Sequence, residues 1–229
     1  MAKAEPSQQD LDSQYRKPSG ALGRKIGREM ARDHLPENLW TIAQLNPQPA
    51  DRILEIGFGP GIAVEELLKH VTEGTVAGID HSETMVAEAS KRNAPAIKAG
   101  RVDLRYGDVA ELPFADASFD KAFSIHAIYF WSRPREALRE LYRVLKPGGL
   151  LVITMLPKDK WPPNPPGSSL EFGTAECTPY LGAEVEQMMV EAGFGNTYIE
   201  ADHESDRFSR FSVIGVKMGD ATSTFRVDV

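Results

Sequence analysis

Cysteine is almost missing from this chain: Cys177 stands alone among 229 residues. That excludes an internal disulfide and a multi-cysteine metal site, so no metal is expected, and it fits a reducing compartment. Long apolar runs are also missing. No stretch approaches the roughly 18 residues of a spanning helix. The segment Met1–Tyr15 lacks the apolar core of a secretory signal, so a cytoplasmic location is expected. Positive charge is not in excess either. Lys and Arg number 26 against 33 Asp and Glu, for a net charge of −7. Bulk binding to a phosphate backbone is disfavoured, and nucleic acid is not an expected partner. No internal repeat is visible.

What is present is ordinary globular material, 41% hydrophobic and 26% charged. The length suits one sizeable α/β domain with additions. The chain divides into a tail and N-terminal helical segment (1–48), a main domain (49–218) and a C-terminal tail (219–229).

The main domain opens with Arg52-Ile53-Leu54-Glu55-Ile56-Gly57-Phe58-Gly59-Pro60-Gly61. A short β-favouring apolar run precedes three alternate glycines, and Val64, Leu67 and Leu68 follow at helical spacing. This predicts a buried strand, a tight turn and a helix N-terminus. A dinucleotide fingerprint needs a small third residue at position 62, where Ile62 stands; the third glycine comes one place early, at Gly61. Glu55 is also badly placed for a pyrophosphate and well placed for an ammonium group. Gly74–Asp80 reads as a second buried strand, with Asp80 roughly 20 residues beyond the glycines, where a carboxylate can accept from both ribose hydroxyls. N-capping of the next helix is the competing role for Asp80, although Ser82 can fill it.

The pattern resembles motif I of the class I S-adenosylmethionine-dependent methyltransferases, over about residues 50–217. The resemblance implies a Rossmann-like doubly wound seven-stranded sheet in the order 3-2-1-4-5-7-6, its last strand antiparallel. It lays Gly57, Phe58, Gly59 and Gly61 against the methionine part of the cofactor, with Glu55 holding its amino end. It puts Met85 against the adenine, with plain core as the alternative; His81, directly after Asp80, is read as lining the same pocket or as a solvent-exposed turn histidine. Gly107-Asp108-Val109, at the end of a third strand (102–106), looks like the family's adenine motif; a turn aspartate bonded to local backbone is the alternative. Ser124, on a fourth strand, joins the cofactor set. Pro134–Leu145 is an amphipathic helix, followed by a Leu-Lys-Pro-Gly-Gly turn and a strand over 150–155 that also match the family. The broader look is of the small-molecule branch related to the quinone-biosynthesis methyltransferases. Expected cofactors are S-adenosylmethionine and its product S-adenosylhomocysteine.

Acceptor residues are expected beyond the fourth strand. His126 at its exit is the candidate general base, since histidine titrates near neutral pH; a wall residue shaping the pocket is the alternative. Tyr129, Phe130 and Trp131 form the substrate loop, with at least one also anchoring the core. Tyr15 and Trp161 are further candidates. Trp161 lies in a proline-rich insertion (about 157–180), read as a rim of the site or as a linker. Leu22, Ile26 and Met30 mark a helix across a basic N-terminal segment, weakened by Gly23 and Gly27. It is read as a lid, a solvated face or a membrane-surface helix.

The expected reaction is in-line methyl transfer to an N, O, S or C nucleophile of a small molecule, by a monomer or homodimer. Arsenite methylation is disfavoured because it uses several thiols. Two rivals stand: an NAD-dependent oxidoreductase, and a methyltransferase-like protein that binds the cofactor without turnover.

Overall fold

The computed structural model describes residues 13–156, 158, 177–202 and 210–219. Trp161 and most of the expected insertion lie outside these residues. Seven strands form one sheet: β1 (Arg52–Ile56), β2 (Thr75–Asp80), β3 (Val102–Tyr106), β4 (Phe119–Ile125), β5 (Leu145–Met155), β6 (Phe194–Ala201) and β7 (Phe211–Lys217). Their order is β3-β2-β1-β4-β5-β7-β6, as the resemblance implies. The first five strands run parallel, while β7 is antiparallel to both β5 and β6.

The strands bury both faces, which explains their continuous apolar runs. Leu54, Ala122, Leu151, Ile153 and Val213 face one half of the core. Ile53, Phe123, Val152 and Ile214, offset by one residue, face the other. Helices α6 (Pro134–Val144) and α7 (Gly182–Ala192) cover the first face through Leu138, Leu141, Val185 and Met189. Helices α2 (Leu35–Leu45) and α3 (Ile62–Leu67) cover the second through Ile42, Leu45, Val64 and Leu67. Burying one such side chain contributes about 1.5–3 kcal/mol. Short α4 (Glu83–Arg92) and α5 (Ala94–Lys98) lead to β3; the second of these had no distinct signal in the sequence.

Two elements depart from expectation. The Leu-Lys-Pro-Gly-Gly stretch is no turn outside the sheet. Strand β5 already pairs at Leu145 with Phe119, and the register shifts before Lys121 pairs with Leu150. Residues 146–149, with Gly148 at φ 80°, stand against Asp120 alone and interrupt the ladder. Helix α6 accordingly stops at Val144.

Helix α1 (Gly20–Asp33) forms where the apolar stripe predicts it. Its glycines serve close docking. A Cβ on Gly27 would lie 2.8 Å from Met85 Cε, and one on Gly23 would lie 2.6 Å from the Pro18 carbonyl carbon. The segment is fastened to α4 by the Ser82 hydroxyl, which donates to the Pro18 carbonyl and accepts from the Met85 N–H at the helix N-cap.

Candidate functional site

A cavity of about 920 Å³ opens beyond the C-terminal ends of β1, β2 and β4, where the strand order reverses. Its floor is the turn after β1. Gly57 and Gly59 both have positive φ, 75° and 50°. A Cβ on Gly57 would strike Ala127 at 2.6 Å, whereas one on Gly59 would meet nothing within 4 Å. Gly59 therefore leaves open the space that a ligand would use. Gly61 does not border the cavity; at φ 76° it lets the turn pack on Ala89 and Asn93 of the α4 end. Phe58 borders the cavity while its ring packs into the core against Gly78.

Two carboxylates sit buried behind this floor. Glu55, 3% exposed, borders the cavity, and its Oε2 has no hydrogen-bond partner. Burial, with the nearby Asp80 charge adding to it, pushes its pKa up to about 8. Asp80 accepts from the Gly59 N–H and the Ser82 N–H, both at 2.8 Å. Burial raises its pKa while those two bonds oppose the rise. A carboxylate has about four lone-pair sites, so about two remain for a ligand's hydroxyls. The N-cap role considered for Asp80 falls to Ser82, and Asp80 also braces the glycine turn. His81 borders the cavity with a buried, unpartnered Nε2, and burial lowers its pKa.

Met85, Gly107, Asp108 and Val109 line the adjoining wall. Met85 is 1% exposed and wedged under Gly27. Asp108 does make the local backbone contact of a turn aspartate, accepting from the Ala110 N–H at 2.9 Å. Its other oxygen lies 3.3 Å from Arg133. Ser124 is off the wall: fully buried, it donates to the Ile56 carbonyl at 3.0 Å and ties β4 to β1.

The far half of the cavity is built from the β4 exit and the N-terminal helices. His126 stands at φ 53°, its ring edge-on to His34 with centroids 5.3 Å apart. Burial, reinforced by His34 and Arg210, pushes its pKa down to about 3. This corrects the expectation that His126 titrates near neutral pH: it stays neutral throughout the physiological range. Tyr129 is both wall and anchor. It is 3% exposed, and its hydroxyl accepts from the Leu156 N–H. Phe130 and Trp131 border the cavity while packing on the core beside it, and Tyr15 lies at the mouth, half exposed.

Ile26 and Met30, from the apolar stripe of α1, border the cavity; His34 at the α1–α2 corner, Glu37 and Asn38 on α2, and Cys177 also line it and carried no signal as site residues in the sequence. Burial pushes the Cys177 thiol up to about 11, so it is not a nucleophile at neutral pH.

The residues present fit S-adenosylmethionine. An unpartnered buried carboxylate oxygen costs about 1–3 kcal/mol or more, which a ligand's ammonium group would offset. The paired carboxylates suit a cation and ribose, not a pyrophosphate, and this weighs against the NAD reading.

Comparison with known proteins agrees. The family described as "Methyltransferase domain" matches residues 54–153. The uncharacterized methyltransferase YdaC of Bacillus subtilis (strain 168) is 32% identical over 162 residues, 71% of this chain and 86% of that protein. The ubiquinone/menaquinone biosynthesis C-methyltransferase UbiE of Roseobacter denitrificans is 36% identical over 118 residues, 50% of this chain and 47% of the enzyme. A solved methyltransferase from Aquifex aeolicus superposes with a TM-score of 0.68 at 22% identity, covering 85% of this chain and 98% of that one. The glycine turn, the buried carboxylates, the strand order and these relatives converge: the chain belongs to the class I S-adenosylmethionine-dependent methyltransferases.

Proposed function

We propose that this methyltransferase acts on a small molecule, by in-line transfer to a nucleophilic atom of that acceptor. The observation that carries the reading is the lining of the cavity. Residues of helices α1 and α2 and of the aromatic loop after β4 border the half of the cavity beyond the glycine turn. The volume, about 920 Å³ in all, lies in the range of small-molecule pockets and must hold cofactor and acceptor together.

Bound S-adenosylmethionine supplies an electrophilic methyl carbon on a sulfonium sulfur. The chain's part is to bind, orient and exclude water. Glu55 takes the ammonium group, Asp80 the ribose hydroxyls, and the Asp108–Val109 corner the adenine edge. Tyr129, Phe130 and Trp131 hold the acceptor's apolar body. Fixing both partners at near-attack distance can remove roughly 7–11 kcal/mol of barrier. A neutral His126 of such low basicity shapes this wall. His126→Gln is expected to leave the form of the kcat–pH profile between about pH 5 and 8 unchanged; loss of an inflection there would restore it as a base.

The reading is tested by incubating the protein with methyl-labelled cofactor and cell extract, then fractionating by size. Label in the small organic fraction is expected. Label confined to RNA or protein would contradict the proposal, and no S-adenosylhomocysteine formation at all would favour binding without turnover.

A further inference from the structure

Arg133, the residue before α6, does not itself border the cavity, but it holds a carboxylate that does. Its Nη2 lies 3.3 Å from Asp108 Oδ2 and 2.8 Å from Glu111 Oε1, and its Nη1 lies 3.0 Å from Glu136 Oε2. Three acids from two separate segments thus share one guanidinium. Arg133 stands at the N-cap position of α6, yet its side chain makes no cap bond. The side chain is therefore committed to the carboxylates and not to the helix end. It also sits two residues beyond Trp131, at the end of the aromatic loop that borders the acceptor half.

The effect falls on Asp108. Its Oδ1 accepts from the Ala110 N–H at 2.9 Å, and its Oδ2 faces Arg133, so both oxygens are held and the plane of the carboxylate is set. About two of its four lone-pair sites remain for a ligand. The Glu111 N–H donates to the Asp108 carbonyl at 3.1 Å, which puts Asp108 and Glu111 on one turn. Without the guanidinium these like charges repel, and the half-exposed Asp108 side chain is free to swing into water. An isolated exposed ion pair contributes little, but here one planar fork joins a network of charges.

We propose that Arg133 is a positioning residue for the cofactor: it aims the Asp108 carboxylate at the exocyclic amine of adenine and so sets the preference for that base. This rests on the assignment of the adenine edge to the Asp108–Val109 corner. Arg133 touches no part of the ligand and acts only through Asp108. A carboxylate held in place accepts the amine N–H as a charge-assisted bond, whereas one turned to water must first be brought back.

The test compares two ligands by calorimetry: S-adenosylhomocysteine and its purine analogue lacking only the 6-amino group. Wild type, Arg133→Gln and Asp108→Ala are titrated with each. Wild type is expected to favour the amino compound about tenfold, the lower end for a hydrogen bond to a charged group. In Arg133→Gln that preference should shrink to about threefold or less, while affinity for the analogue stays nearly unchanged. In Asp108→Ala it should vanish. Salt gives a second readout: at about 1 M, where the Debye length is about 3 Å, the wild-type preference should narrow and that of Arg133→Gln should not. A merely structural Arg133 would weaken both ligands alike and keep their ratio, which would overturn the proposal. A preference lost in Asp108→Ala but kept in Arg133→Gln would overturn the role of Arg133 alone. Absence of any preference in wild type, or one that survives Asp108→Ala, would remove the adenine assignment and the inference with it.

Discussion

Glu55 shows how a buried carboxyl without a partner ties stability to pH. Its folded-state pKa of about 8 lies above the ordinary 4.5. Folding therefore favours the protonated form. Its contribution to stability is complete below about pH 4.5 and is lost as pH rises towards about 8. A cofactor ammonium placed beside the carboxylate reverses the preference and expels the proton. Binding of S-adenosylhomocysteine near neutral pH should thus release protons, seen as a heat that varies with buffer ionisation enthalpy. Glu55→Gln should abolish that variation, and a buffer-independent heat in wild type would show that Glu55 does not meet the ammonium. Charge type and position made Glu55 visible in the sequence; its missing partner became visible only in three dimensions. His126 shows the opposite case. Its place at a strand exit was legible, but its basicity was not, because burial beside His34 comes from a helix nearly a hundred residues earlier.

At the scale of elements, the glycine turn divides into parts with different duties. Gly61 exists for packing, since a Cβ there would lie 2.8 Å from Ala89 Cβ. Gly59 exists for open space. Gly61→Ala should cost about 2 kcal/mol or more of stability, from a left-handed backbone and the clash. In thermal unfolding that is a fall of about 4–8 °C. Its affinity for S-adenosylhomocysteine should be nearly intact. Gly59→Ala should cost only about 1–2 kcal/mol but lose tenfold or more in cofactor affinity. Equal effects of the two on binding would contradict the division. In the sequence the three glycines look alike. The strands and helices themselves were legible from period and composition. The exceptions were α5, which gave no distinct signal, and the start of β5, where Pro147 and the two glycines read as a stop although strand pairing already begins before them at Leu145.

For the whole molecule, strand order and cofactor family were readable together. Both are set by local signals repeated along the chain: strand, turn, helix, and an acid at the second strand's end. The far half of the cavity was readable only at the β4 exit; the α1–α2 corner and Cys177, which complete it, are distant in the chain. The N-terminal helix was seen as a helix, but its glycines were read as weakness when they permit close contact, Gly27 with Met85 and Gly23 with Pro18. No helix among the described residues is long and apolar enough to cross a membrane. The most direct measurement is calorimetric titration of the intact chain with S-adenosylhomocysteine and, separately, with NAD, repeated on Asp80→Asn. The account predicts micromolar binding of S-adenosylhomocysteine, at least tenfold weakened in the variant, and no binding of NAD. NAD binding in place of S-adenosylhomocysteine, or no binding of either, would contradict it.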